Sequence, residues 1–363
     1  MMKKLLFFGI SLVFVISLAL VCQKSAIAAD PQPIKLVYSS FFSERAMQEQ
    51  VDKWFMAEVE KRTNGRVKFT MYFAGEVTKS MESLPHLRTG AVDIANPAPG
   101  FFPDELPLAG LTNATRIGRD FLKTLDAGYK FHLYDKEVTK YLDEEARKQN
   151  FKWLYVHAVP NYLLLTKKPV YKLSDLKGLR VRTFGVYEPK HYARFGAISA
   201  NILPAEWYEA LARGTVDGIP MSCDLTLDFK LQEVAKYMSF DDGTLVVRPF
   251  LINLDTWNKK LTPEVRKLME GMREEVYQYQ RKFFSKMRDE AYTAIKEAGV
   301  KFIQVDPKEQ EEISNDWIKV TIDEWLPGLE KKGYKNEAPL LLNRWLELNT
   351  GKGLDFWKKH FSK

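Results

Sequence analysis

Short apolar runs alternate with segments of helical periodicity along most of the chain. Residues 34–40 (IKLVYSS) and 67–73 (VKFTMYF) have the composition of strands, and the segment between them carries apolar residues at helical spacing until Asn64-Gly65. A helix around residues 79–89 and a short buried strand, VDIAN, continue the alternation. Repeated strand and helix units predict an α/β fold with mainly parallel pairing.

A run of predicted strands occupies the middle of the chain. A Pro-rich irregular stretch (96–113) and a predicted helix from about Arg119 to Gln149 precede FKWLYVHAV and YLLLTKKPV, which have the composition of two strands. The next strand carries Arg180 and Arg182, two positions apart. Alternate strand residues share a face, so we expect both guanidinium groups on one face, unless the strand twists or ends between them.

One long helix is predicted near the C-terminal third. Thr262-Pro263 is a helix-start signal, Gly299 is a stop signal, and Gly271 is the one Gly or Pro between Pro263 and Gly299. A continuous helix here would be about 54 Å long. The apolar positions do not keep one seven-residue register, which favours a helix lying along two lobes over a coiled-coil stem.

The first 29 residues have the features of a secretory signal peptide. Two lysines precede the apolar run LLFFGISLVFVISLALV, and Ser25 to Ala29 offers a small-residue cleavage site. An uncleaved membrane anchor is the alternative, since the run approaches the length of a spanning helix. A lipoprotein site at Cys22 is disfavoured by the preceding Val21. We expect an exported chain that is soluble once the leader is removed.

Size and composition predict two lobes without a disulfide. The chain has 363 residues, of which 45% are hydrophobic, and single cores rarely exceed about 250–300 residues. Leader removal would leave Cys223 as the single cysteine, which excludes an intramolecular disulfide. The net charge of +7 includes three leader lysines, and the remaining excess is too small and dispersed to indicate nucleic-acid binding.

Catalytic and metal-binding motifs are missing from the sequence. The five histidines are scattered, and no HExxH pattern, nucleophile elbow, phosphate-binding loop or Gly-rich dinucleotide fingerprint is present. We therefore predict no enzyme activity, no cofactor and no metal site.

Several ordered blocks of sequence lie between about Ile34 and about Val305. The blocks are EVEKRTNGRVKF (58–69), FAGEV followed by LRTGAVDIA (73–95), DLKGLRVR (175–182), PAEWYEALARGTVDG (204–218) and residues 253–261. In their order and spacing they resemble the substrate-binding proteins of tripartite ATP-independent periplasmic (TRAP) transporters, which include dicarboxylate and sialic-acid receptors.

The resemblance implies a periplasmic binding protein-like fold, in which two α/β lobes are joined by crossing strands and a long helix spans both. Ligand would be enclosed between the lobes. The implied domains are a signal peptide (1–29), lobe I (30–157 plus about 248–285), lobe II (158–247 plus about 286–330) and a C-terminal helical extension (331–363).

The resemblance also selects one of the two arginines. In this family, the arginine at the position of Arg182 pairs with the ligand's carboxylate, whereas the position of Arg180 is usually a lysine, so we expect Arg180 to be solvated. A planar guanidinium gives a carboxylate two parallel donors and keeps its charge at physiological pH.

Other ligand contacts are predicted from the matching blocks, with core packing as the alternative for the aromatic ones. The remaining candidates are Phe41, Phe42, Asn96, Phe184, Trp207, Met221, Ser222 and Arg248.

Two departures from the family pattern narrow the ligand. Many relatives carry a further arginine in the region that here reads His157 to Leu163, and many continue VDG with Gln-Glu-Asn where this chain has Ile219-Pro220-Met221. Both changes remove polar contacts. They disfavour sialic acid and short dicarboxylates and favour a monocarboxylate with an apolar or aromatic body.

The predicted function is therefore a periplasmic receptor that captures a small organic acid and delivers it to the membrane subunits of a TRAP permease. An exported binding module for a membrane sensor would share the ligand and the lobe closure. An exported hydrolase is the less favoured alternative, because it would need a nucleophile or a metal cluster.

Overall fold

One continuous mixed sheet forms the framework of the molecule. The computed structural model describes residues 32–362, apart from the side chains of residues 114, 246 and 247. The strands in this part of the chain are β1 (Ile34–Ser39), β2 (Val67–Tyr72), β3 (Ile94–Ala95), β4 (Phe151–Thr166), β5 (Arg180–Thr183), β6 (Ile198–Asn201), β7 (Gly218–Met221), β8 (Tyr237–Asn253) and β9 (Lys301–Phe302). Their order is β2-β1-β3-β8-β4-β7-β5-β6, with β9 beside β8.

Strands β4 and β8 cross the centre of the sheet. They pair antiparallel from Phe151↔Asn253 to Thr166↔Tyr237. The two strands predicted from FKWLYVHAV and YLLLTKKPV are thus one strand, because a register shift between Val159 and Tyr162, not a loop, accommodates the break in the pattern.

Parallel pairing occurs on the flanks of these crossing strands and where the short β9 pairs with the start of β8. β1 pairs in parallel with β2 and β3, and β5 pairs in parallel with β6 and β7. The prediction of mainly parallel pairing is therefore correct for the flanks and wrong for the centre.

Helices cover both sides of the sheet. They are α1 (Met47–Arg62), α2 (Ser83–Thr89), α3 (Gly110–Ala114), α4 (Phe121–Tyr129), α5 (Lys136–Lys148), α6 (Tyr187–Arg194), α7 (Trp207–Ala212), α8 (Cys223–Asp228), α9 (Pro263–Gly271), α10 (Arg273–Glu297), α11 (Pro307–Val320), α12 (Leu326–Lys331), α13 (Glu337–Thr350) and α14 (Leu354–Phe361). The single helix predicted over about 119–149 is divided, because Asp135 leaves the helical conformation and caps α5 by accepting from the Glu137 N–H.

The long predicted helix begins and ends as expected but is interrupted. The Thr262 hydroxyl accepts from the Val265 N–H at the start, and Gly299 has a φ of +80° just past the end. Met272, directly after Gly271, separates α9 from α10 with φ and ψ of −78° and −8°. The helix that remains, α10, has 25 residues.

Helix α10 packs against two apolar cores. Val276 and Phe284 belong to a core built mainly from α1, the β1 to β3 region and the first half of β4. Ala291 and Ile295, further along, belong to a second core built on α7, α8 and β7. The predicted α/β fold, with two lobes joined by crossing strands and a long helix along both, is confirmed.

The C-terminal segment is helical, as predicted, and part of it enters the first core. Trp345 and Leu346 on α13 have no exposed surface, and Trp345 packs edge-on against Phe131 at 5.3 Å between ring centres. Helix α13 buries its apolar face as fully as the central strands do, so the C-terminal extension is part of the first core.

The lobe boundaries stay predictions. The predicted signal peptide (1–29) lies outside the described residues. Within residues 32–362, no helix has the length and apolar character needed to cross a bilayer.

Candidate ligand-binding site

Aromatic side chains from both lobes meet where the lobes face each other. We call this set of Phe41, Phe42, Phe101, Phe184, Trp207 and Phe229 the aromatic collar. Its ring centres are separated by 4.3 Å (Phe41–Phe42), 6.3 Å (Phe41–Phe101), 5.6 Å (Phe101–Phe184), 4.6 Å (Trp207–Phe229) and 6.2 Å (Phe42–Phe229). The collar brings together residues more than a hundred positions apart in sequence, and it defines the interlobe site.

Arg182 closes the collar on the second lobe. Its guanidinium carbon lies 4.3 Å from the centre of Trp207 and 5.3 Å from the centre of Phe184. β5 ends one residue later, so the strand delivers this side chain to the interlobe face. The residue is 2% exposed. Aromatic rings stack on the faces of a guanidinium group, so its N–H groups, which point outward in the guanidinium plane, can still donate to a partner at the edge.

The charge of Arg182 is incompletely compensated. Its Nε donates to the Ile202 carbonyl at 3.3 Å, and no carboxylate of the described residues lies within ion-pair distance. Burial lowers the pKa of Arg182 to about 10, against the opposing charge of Glu188. The guanidinium therefore remains protonated at neutral pH and would gain from an anion.

Arg180 lies in a different environment from Arg182, as we expected. Its side chain is 47% exposed and forms a two-point ion pair with Asp217, with Nε–Oδ2 and Nη2–Oδ1 distances of 2.9 and 2.7 Å. Arg180 is the first residue of β5, at its solvent-exposed end, whereas Arg182 lies two residues further along the strand, toward the interlobe site. The prediction of a solvated Arg180 is confirmed.

Arg248 approaches the site from the crossing strand β8. It has no exposed surface, its Nη1 donates to Glu49 Oε1 at 2.9 Å, and its guanidinium carbon lies 3.2 Å from the centre of Phe42. Its Nε and Nη2 have no hydrogen-bond partner within the described residues. Arg248 is therefore paired with Glu49 on one side only.

A buried polar network extends from Glu49 to the long helix. Asp52 accepts from the hydroxyls of Tyr38 and Tyr155 and lies 2.8 Å from His157 Nε2, whose Nδ1 is 2.9 Å from Gln280 on α10. Burial and the neighbouring charge of Asp52 raise the pKa of Glu49 to about 7, although Arg248 opposes this. The network holds the base of the site rigidly to the helix that spans both lobes.

A third buried arginine, Arg116, is fully neutralised. It forms ion pairs with Glu188 on α6 and Asp242 on β8, and the second oxygen of Glu188 accepts from the Phe184 N–H at 2.7 Å. Glu188 therefore fixes the turn that carries one collar ring.

Tyr162 is a site residue that the sequence reasoning missed. It lies on β4 with 6% exposure, and the Arg116 guanidinium stacks on its ring at 4.7 Å. Burial raises the pKa of Tyr162, whereas the charges of Arg116, Arg182 and Arg248 all lower it. Its hydroxyl makes no hydrogen bond within residues 32–362. The segment 157–163 attracted attention only for its missing arginine, and no local signal singled out Tyr162.

Direct contacts hold the lobes together around the site. The Ser43 hydroxyl, before α1, donates to Asp228 on α8. A Cβ built on Gly100 would lie 2.9 Å from the Phe184 ring, and one on Gly185 would lie 3.1 Å from the Gly100 carbonyl. The backbones of the two lobes thus meet at these glycines in a closed arrangement.

The structure gathers the predicted ligand residues in one region. Phe41, Phe42, Phe184 and Trp207 form most of the collar, and all are at most 9% exposed. Asn96 donates to Asp52 at 2.9 Å. Met221 ends β7, Ser222 follows it, and neither has exposed surface. Ligand contact by these residues and by Arg182 and Arg248 stays a prediction.

No set of three or more histidine, cysteine or acidic side chains suited to a metal ion occurs in the described part of the chain. The predictions of no metal and no cofactor stay predictions.

The chain is similar to known bacterial solute-binding proteins. The family described as bacterial extracellular solute-binding protein, family 7 (DctP) matches residues 38–324. A solute-binding protein of Verminephrobacter eiseniae is 25% identical over 209 residues, which are 56% of this chain and 60% of that protein. The 2,3-diketo-L-gulonate-binding periplasmic protein YiaO of Escherichia coli is 26% identical over 285 residues, covering 77% and 82% of the two chains.

A solved structure shows the same fold. A TRAP solute-binding protein from Rhodoferax ferrireducens, in complex with copurified benzoate, superposes with a TM-score of 0.75 at 21% identity and covers 91% of this chain and 99% of its own. The two-lobe fold, the interlobe site and the family match over 38–324 agree with each other. The chain belongs to family 7 of the bacterial extracellular solute-binding proteins, the substrate-binding proteins of TRAP transporters.

Proposed function

We propose that this protein is a periplasmic receptor that captures a small monocarboxylic acid with an apolar or aromatic body and delivers it to a TRAP permease. Export would use the predicted leader at residues 1–29. Support for the receptor function comes from family membership, and support for the ligand class comes from the charges and rings of the interlobe site.

The observation that carries the proposal is the contrast among three buried arginines. Arg116 contacts two carboxylates and Arg248 contacts one, whereas Arg182 contacts none within residues 32–362. A buried cation without a counter-ion is costly, and a ligand carboxylate would relieve that cost. Because Arg182 is the buried arginine of these three that lacks a carboxylate partner, a ligand with one carboxylate is favoured.

The collar supplies the second part of the affinity. A hydrogen bond to a charged group contributes about 1.5–3 kcal/mol, whereas a micromolar to nanomolar receptor needs roughly 8–12 kcal/mol. Contact with Trp207, Phe184 and neighbouring rings would bury apolar ligand surface at about 25 cal/mol per Å². A flat hydrocarbon body would gain most, because it can lie against ring faces. The related Rhodoferax ferrireducens protein was solved with copurified benzoate, which agrees with this ligand class.

The proposal is tested by identifying what the protein binds. The mature protein is purified without added ligand, its bound small molecules are identified by mass spectrometry, and the ligand-free protein is titrated calorimetrically with aliphatic and aromatic mono- and dicarboxylates. We expect micromolar or tighter binding of a monocarboxylate, with the acid recovered unchanged. Binding of none of these acids, or chemical conversion of a bound acid, would contradict the proposal.

A further inference from the structure

Unpartnered polar atoms gather at the Arg248 end of the site, away from Arg182. Arg248 uses only Nη1 for Glu49, which leaves Nε and Nη2 without partners. These two nitrogens share one edge of the guanidinium plane and form a two-point donor. Because Arg248 has no exposed surface, neither nitrogen can be satisfied by bulk water.

Three further side chains have unsatisfied atoms in the surrounding segments. The Ser222 hydroxyl, the Asn96 side-chain oxygen and both oxygens of Asp224 are buried without a hydrogen-bond partner of good geometry. Asn96 follows β3 in the first lobe, and the other two residues follow β7 in the second. Donors and acceptors thus come from both lobes, and such groups are costly to leave unpaired.

The charges around Arg248 differ from those around Arg182. Burial raises the pKa of Asp224, whereas the nearby Ser222 hydroxyl and the charge of Arg248 oppose the rise. Glu49 already occupies one side of Arg248, and Asp52 lies close enough to help raise the pKa of Glu49 to about 7. Glu49 and Asp224 therefore both lie near the single guanidinium of Arg248, and Asp52 lies near Glu49, so a second ligand carboxylate would meet repulsion here.

We propose that the Arg248 compartment, formed by Arg248, Asn96, Ser222 and Asp224, binds an uncharged hydrogen-bonding group of the ligand, such as a hydroxyl, amide or lactam, and rejects a second carboxylate. The inference rests on the proposed function, because it assumes that Arg182 takes the ligand's carboxylate. The ligand is then a monocarboxylic acid with a polar, uncharged far end. Arg248 donates to that group, and Asp224 or Asn96 accepts from it.

Matched ligands test this inference. Benzoate, phenylacetate and 3-phenylpropanoate are each titrated calorimetrically into ligand-free protein beside their para-hydroxy, para-carbamoyl and para-carboxy derivatives, so that ligand length and far-end chemistry vary separately. In at least one length series, we expect a hydroxy or carbamoyl acid to bind tenfold or more tightly than the unsubstituted acid, and the dicarboxylate to bind more weakly than it.

Three variants test whether the residues of the compartment contact the ligand or only support the fold. Arg248→Met should abolish the gain from the para group, so that substituted and unsubstituted acids of one length bind with similar affinity. Asp224→Asn keeps the size of the side chain and should reduce the gain. It tests the inference even where Arg248→Met fails to fold. Arg180→Met, at the solvent end of β5, is the control and should retain the full gain.

The outcomes are distinguishable. Equal affinity for substituted and unsubstituted acids in all three series overturns the compartment while leaving monocarboxylate capture intact. Tightest binding of a dicarboxylate overturns the compartment and the preference for a monocarboxylate, while leaving capture of an organic acid intact. Binding of no acid in any series overturns both this inference and the proposed function.

Discussion

The guanidinium carbon of Arg182 lies 4.3 Å from the centre of the Trp207 indole, and the Arg182 Nε and Trp207 Nε1 both donate to the carbonyl of Ile202, at 3.3 and 3.0 Å. The arginine and the ring are thereby oriented by one backbone atom. Preorganisation of this kind reduces the entropy lost when a ligand carboxylate is bound. The charged and the apolar parts of the proposed site therefore form a single unit.

Replacing Arg182 should remove acid capture. Arg182→Ala deletes both in-plane donors, so we expect the affinity for the copurified acid to fall about 100-fold or more. Arg182→Lys keeps the charge but loses the planar fork, and we expect an intermediate loss of about tenfold. Calorimetric titration measures both.

The control for these variants is Arg180→Ala, whose side chain is exposed and paired with Asp217. It should bind the acid within about twofold of the unmodified protein. A loss at Arg180 as large as that at Arg182 would show that general surface charge, not a specific contact, governs capture.

Trp207 should affect affinity more than an equivalent tryptophan elsewhere. Trp207→Leu removes a face of the collar and the stack on Arg182, so we expect about a tenfold weaker affinity. The lost packing should also lower the free energy of unfolding by about 2–4 kcal/mol. Trp357→Leu, on the C-terminal helix α14, is the control. Unchanged binding by a folded Trp207→Leu protein would place the ligand away from the collar.

Tyr162→Phe isolates one hydroxyl. The ring contact with Arg116 survives this change, but the hydroxyl that lies near three arginines is lost. If that hydroxyl bonds the ligand, affinity should fall about three- to tenfold, with thermal stability of the ligand-free protein little altered. Tyr192→Phe is the comparison, because its hydroxyl already bonds Asp242 at 3.1 Å. Here stability should fall while affinity stays nearly constant.

Glu145 should give stability a characteristic pH dependence. Burial raises the pKa of Glu145 to about 7, although its carboxylate accepts from the N–H groups of Leu108 and Ala109. Between about pH 4.5 and 7, the native state retains a proton that the unfolded chain has lost. The Glu145 contribution therefore lowers the free energy of unfolding as pH rises through this window, by up to a few kcal/mol, since each pKa unit is about 1.4 kcal/mol.

Urea unfolding at pH 4.5 and 7.5 checks this sign. Glu145→Gln should lose less stability between the two pH values than the unmodified protein does. Glu144→Gln, exposed on the same helix, is the control and should behave like the unmodified protein. An identical pH dependence in Glu145→Gln would show that Glu145 titrates normally.

The sequence predicted elements whose signals are local. Thr262-Pro263 and Gly299 marked the start and end of the long helical segment because capping and left-handed backbone depend on single residues. Its interruption at Met272 had no comparable signal. The continuity of β4 through Pro160-Asn161 was also missed, since a register shift is set by the partner strand.

The site was predictable only in part, for a similar reason. Arg182 and Arg180 look alike in sequence, and only the family resemblance separated them before burial and the Asp217 ion pair were known. Tyr162 and the Glu49–Arg248 pair depend on contacts between distant segments, 199 positions apart in the second case. Such pairings arise from tertiary packing and leave no periodic pattern.

The most direct measurement is a crystal structure of the mature protein with the acid that copurifies with it. The account predicts a ligand carboxylate oxygen within about 3 Å of the Arg182 guanidinium and a ligand body against Trp207 and Phe184. A bound acid whose carboxylate meets another residue, with Arg182 making no contact to it, would contradict the account.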